Sequence, residues 1–167
     1  LSAGARFGAP GLEFDTTMSK VQALTRLDKN DEELAALRRQ ARELGATTMF
    51  SAGDAASGMA FLAMAGFTPK AIRDAMPGLL DMAKAGDLDL AMTADIASNI
   101  LGGFRMEASQ MGNVADILTK AFTTSNMSLE MLGETMKYVG PVASTAGMGL
   151  EEAAAMAGLL GNVGIQG

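Results

Sequence analysis

Asp87-Leu88-Asp89 is the closest approach this chain makes to a hard-cation motif, since two carboxylates one residue apart can share a metal. It lacks the further acids and the glycine of a calcium loop, and it falls where a helical pattern begins, so helix capping explains it better. Asp31-Glu32-Glu33 and Glu151-Glu152 are acids at helix starts. Neighbouring residues on a helix point in different directions, so neither group forms a facing acid/base pair. The chain has no His and no Cys. That removes thiolate and imidazole zinc sites, disulfides, Cys nucleophiles and a His-based triad. No spacing points to a Ser–Lys pair. The run GNVGIQG carries Gly161, Gly164 and Gly167, but no strand precedes it and no phosphate-binding glycine signature is present. Asn126-Met127-Ser128 fits a glycosylation sequon, although Ser128 is equally a helix N-cap. The sequence offers no catalytic residue, no cofactor-binding residue, no metal ligand and no cofactor.

The elements around these residues read as helices throughout. Apolar stripes at helical spacing are Phe14, Met18, Val21, Leu24; Leu34, Leu37, Ala41, Leu44; and Ile72, Met76, Leu79, Leu80, Ala83. Further stripes are Met92, Ile96, Ala97, Ile100, Leu101; Val114, Ile117, Leu118, Ala121, Phe122; Leu129, Leu132, Met136, Val139, Ala143; and Leu150, Ala153, Ala157, Leu160. No period-2 strand pattern competes with them. Ser51 with Asp54 has capping-box spacing, and Thr68-Pro69 places proline at a first helical position. Gly45, Gly66, Gly86, Gly102 and Gly161 stand where stripes end and are expected as left-handed caps. Pro77 is expected to split or kink the helix around it. Helix starts near 51, 68, 87, 107, 128 and 149 recur about every 20 residues, which implies short connectors and antiparallel neighbours. The expected fold is all-α, with consecutive short amphipathic helices in antiparallel hairpins. Residues 1–13 are Gly-, Pro- and Ala-rich and read as a linker. Residues 14–167 read as one helical region of a longer, largely helical protein.

Methionine, alanine and glycine occupy many positions where branched residues would normally make a core. Small faces let helices approach closely, and the flexible Met thioether fills the gaps between them. Net charge is −6 and arises wholly after residue 45, where twelve acids oppose six bases. Arg38, Arg39 and Arg42 cluster, but Glu32, Glu33 and Glu43 lie beside them, so specific nucleic-acid binding is not expected. Mean hydropathy is +0.19. The apolar runs 55–67 and 153–165 fall short of the roughly 20 residues that span a bilayer.

Two long strings, ELGATTMFSAGDAASGMAFLAMAGFTPKAIRDAMPGLLDMAKAGDLDL at 43–90 and LTKAFTTSNMSLEMLGETMKYVGPVASTAGMGLEEAAAMAGLLGNVGIQG at 118–167, closely resemble the core region of phage and prophage tail tape measure proteins. FDTTMSKVQALT at 14–25 and ADIASNILGGFRMEASQMGNVADIL at 94–118 resemble the same core in the same order. The resemblance implies a helical minor virion protein that sets tail length during assembly and leaves with the DNA at ejection. It implies tail tube subunits, tail-assembly chaperones and baseplate hub proteins as partners, self-association, and a place in the tail tube lumen after assembly in the host cytoplasm. A second reading, favoured by the Ala/Gly/Met helices, is a membrane-active segment that contacts the host envelope during ejection. The family core transfers no catalytic position. RLDKN at 26–30 stands where a shorter turn is expected.

Overall fold

A computed structural model describes residues 2–162, with side chains described from 11 to 161. Among them are eight α-helices and no strand: α1 (Ser2–Thr25), α2 (Glu32–Thr47), α3 (Ala52–Met64), α4 (Pro69–Gly86), α5 (Leu90–Gly103), α6 (Met111–Thr123), α7 (Leu129–Thr145) and α8 (Leu150–Asn162). A 3-10 turn, Ala108–Gln110, leads into α6. The all-α expectation is met. α1 takes in residues 2–13, the segment read as a linker.

The chain divides into two compact units, 1–76 and 77–167, where composition gave no sign of a second. The division falls at Pro77, inside α4. In the first unit α3 packs on both α1 and α2. Its core holds Phe14, Met18 and Val21 of α1, Leu34, Leu37 and Ala41 of α2, and Ala56, Met59 and Leu62 of α3, all buried. In the second unit the main pairs are α5 with α7, α6 with α8, and α7 with α8. Leu79, Met82, Ile100, Met111, Leu118 and Leu132 are fully buried there, each contributing about 1.5–3 kcal/mol of apolar burial.

Most stripe residues lie inside, but Leu24, Met92 and Leu160 are about two-fifths exposed, against expectation. Leu24 and Leu160 each stand ten residues along their stripe. At 100° per residue that position has drifted about 80° off the first one. Met92 is displaced by Thr93, which is buried with its hydroxyl donating to Asp89 O at 2.7 Å.

Pro77 does not split α4. Proline has no N–H to donate to the carbonyl four residues back, which leaves Arg73 O without its helical partner. Gln40 on α2 supplies one: its Nε2 donates to Arg73 O at 2.9 Å. The Arg73 guanidinium also pairs with Glu33 at 3.1 Å.

Five helices end in one recurrent turn. Leu27, Phe67, Leu88, Met106 and Met148 each donate N–H to the carbonyl five residues back, at 2.8–3.2 Å. The residue before each has positive φ: Arg26, Gly66, Asp87, Arg105 and Gly147. These are Schellman turns, each with an apolar residue just beyond the left-handed position. Of the five expected glycine caps only Gly66 is left-handed. Gly45 and Gly161 lie inside α2 and α8, and Gly86 and Gly102 are still helical. Arg26, Asp87 and Arg105 take the left-handed conformation at a cost of about 1–2 kcal/mol each.

Candidate functional site

The acids singled out by their spacing serve as structural caps. Asp89 accepts from Met92 N–H at 2.7 Å and opens α5, while Asp87 holds the left-handed position before it. Asp31 caps α2 through Glu33 N–H at 2.8 Å. Ser51 and Asp54 form the expected capping box, each accepting from the other's backbone at 3.0 Å. Ser128 accepts from Met131 N–H at 3.1 Å, which accounts for the serine of the sequon. Glu151 and Glu152 occupy the first turn of α8. Of the run GNVGIQG, Gly164 and Gly167 lie outside the described residues.

The arginine cluster is also taken up locally. Arg38 pairs with Asp15 at 3.2 Å, and the Arg38 and Arg42 guanidinium carbons lie 5.9 and 5.1 Å from the Phe14 ring centre. These contacts tie α2 to α1, with the cation–ring attraction adding to the ion pair.

What the chain builds most consistently is a set of close helix seams. At Gly78 a Cβ would stand 2.8 Å from Gly112 N and from Met111 C, so α4 and α6 meet backbone to backbone. At Gly133 it would stand 2.8 Å from both Cγ atoms of Ile96, so α7 lies directly on α5. Gly86 closes on Leu129 and Gly161 on Met127 in the same way. Each of these glycines is mid-helix or at a last turn, so what it provides is clearance rather than backbone freedom. Reading the chain for turns missed Gly78 and Gly133. The available signal was a glycine inside an apolar stripe with no turn residue near it.

Beside the α5–α7 seam lies an open groove of about 430 Å³, lined by Ser98, Asn99, Arg105, Lys137, Ser144 and Thr145 among others. No acid stands in the lining beside its two cations, Arg105 and Lys137. Among the described residues no cluster of acids could hold a metal, and no helix is long and apolar enough to cross a membrane.

Residues 38–167 match the family described as phage-related minor tail protein. The tape measure protein of Pneumococcus phage Dp-1 is 44% identical over 157 residues, which is 94% of this chain and 14% of that protein. The probable tape measure protein of Escherichia phage P2 is 34% identical over 165 residues, 99% of this chain and 20% of that protein. The chain thus spans a fifth or less of the length of these relatives. No solved structure matches it. By its sequence along most of its length, this chain belongs to the phage-related minor tail protein family, alongside the tape measure proteins of long relatives.

Proposed function

We propose that these residues form a folded helical module of a tail tape measure protein, non-catalytic, whose work is to pack. In this reading the whole protein sets tail length during assembly and leaves with the DNA at ejection. It lies in the tube lumen of the virion and meets tube subunits, assembly chaperones and hub proteins, having been built in the host cytoplasm. Residues 1–13 connect the module to what precedes it. The observation that carries the reading is the family match over 38–167, joined by two relatives named for the tape measure role.

The folded seams bear on which share of that work falls here. As one helix, 167 residues would reach about 250 Å. Folded into helices of 13–24 residues, each no longer than about 20–36 Å, the same residues extend far less. A module held together by glycine seams is a poor ruler for its residue count. Length setting falls mainly to other parts of the protein, and this module serves assembly or release.

The test is an in-frame deletion of residues 14–167 in the phage genome, read by electron microscopy of the particles. Loss of complete tails, or particles with tails close to normal length that fail to infect, is expected. Infectious particles with tails of unchanged length would overturn the proposal.

A further inference from the structure

Within residues 77–167, besides the consecutive pair α7–α8, helices pack two steps apart along the chain: α5 on α7 and α6 on α8. The step is regular. α7 begins 39 residues after α5 (Leu129 against Leu90), and α8 begins 39 residues after α6 (Leu150 against Met111). Positions can therefore be compared between helices of the same layer.

On α5, the residues that face α7 are Ile96, against Gly133, and Gly103, against Gly140 and Pro141, with Asn99 in the groove between the helices. Moved forward by 39, these positions are Thr135, Val142 and Tyr138 of α7. Tyr138 and Val142 are 75% and 71% exposed. They lie about 140° and 180° around α7 from Gly133, on the side away from α5. On α6, Ile117, Lys120 and Ala121 face Ala154 and Ala155 of α8. Moved forward by 39, they become Met156, Leu159 and Leu160, all exposed. Both layers thus present, at the positions the rule assigns to the next contact, an apolar face with nothing on it among the described residues. In each layer the replacement includes larger apolar groups: Asn99 becomes Tyr138, Gly103 becomes Val142, and Ala121 becomes Leu160.

We infer that this face is the docking surface for the next helix pair of the same polypeptide, the segment that follows residue 167. One helix of the pair seats on Tyr138 and Val142 of α7 and the other on Met156 and Leu160 of α8, which continues the two-step rule. The occupant is taken as the same chain for two reasons. The 39-residue step already places two successive partners in cis, and the relatives named above are five to seven times longer than the match, leaving ample chain to supply a third. Connectors as short as those here hold the next helix at high effective concentration, which a second copy lacks.

Residues 1–167 hold no cysteine, so once any cysteine elsewhere in the reading frame is replaced by serine, single thiols report single positions. The protein is expressed from its full reading frame with Val142→Cys, Leu160→Cys or, as a solvent-facing control, Asp81→Cys, and native maleimide labelling rates are compared. Labelling at 142 and 160 should be about tenfold or more slower than at 81, and should stay so on dilution. Equal rates at all three positions would overturn the inference. Protection that disappears on dilution together with a halving of mass would also overturn it, assigning the face to a second copy. Should Val142→Cys lose helicity by circular dichroism, Tyr138→Cys reads the same face.

Discussion

Gly78 and Gly112 meet at one point between α4 and α6, yet their substitution by alanine should have opposite effects. A Cβ on Gly78 would stand 2.8 Å from two backbone atoms of the facing helix and 3.0 Å from Gly112 Cα. Carbon contacts are comfortable at about 3.5–4.0 Å, so the helices must part by several tenths of an ångström or more. No side chain can rotate away, because the obstacle is backbone. Overpacking of this kind costs about 1–3 kcal/mol. Removing glycine from a helix returns up to about 1 kcal/mol, so an overpacking cost at the upper end of that range, as an immovable backbone obstacle demands, leaves a net loss of about 2 kcal/mol. Gly112 is exposed, and a Cβ there meets nothing within 4 Å. Gly112→Ala therefore keeps only the gain, at most about 1 kcal/mol. Thermal unfolding followed by helical circular dichroism reads both, at about 4–8 °C per kcal/mol for a unit of this size. Gly78→Ala should lower the transition and Gly112→Ala should hold or raise it. A Gly78→Ala protein as stable as its parent would refute the backbone-to-backbone seam.

Three further outcomes follow from the contacts. Gln40→Ala should cost about 1–3 kcal/mol in urea unfolding, by leaving the Arg73 carbonyl unpaired. The penalty should shrink in a Pro77→Ala background, where a backbone N–H returns, and a double-mutant cycle measures that coupling. Ser51→Ala should destabilise α3 by about 1 kcal/mol through loss of the capping box, seen as faster amide exchange at its first turn. Arg105→Gly should raise the melting transition, because glycine relieves a left-handed strain of about 1–2 kcal/mol at a small entropic cost.

The helices were legible because polar caps and apolar spacing agree at each of them. Ser51, Thr68, Asp89 and Ser128 each accept a hydrogen bond from the first turn that follows. The glycines were harder, because one residue type answers two demands. Gly66 has φ of +93° and nothing within 4 Å of its missing Cβ, so conformation selects it. Gly86 is helical and pressed on Leu129, so clearance selects it, and the left-handed position falls to Asp87. Spacing from a stripe end cannot separate these, since both uses place glycine near a last turn. That α4 runs on unsplit through Pro77 was hidden for a related reason. The proline's local cost is real, but the compensating Gln40 is 37 residues away, and nothing near Pro77 announces it. No chemical site was expected. Of the acids that spacing singles out, Asp31 and Asp89 cap helices and Glu33 pairs with Arg73, and the division of the chain at residue 77 left no compositional trace because a helix runs through it.

On the proposed reading, these residues work in the tail as packed helices and are not drawn out along it. Ser98 and Lys137 line one groove, so spin labels at these positions, with any cysteine outside residues 1–167 replaced, report the α5–α7 seam directly. With the labelled protein built into assembled tails, the account predicts a distance set by neighbouring helices, whose axes lie about 8–10 Å apart. A separation near 58 Å, about 1.5 Å for each intervening residue of a single continuous helix, would contradict it.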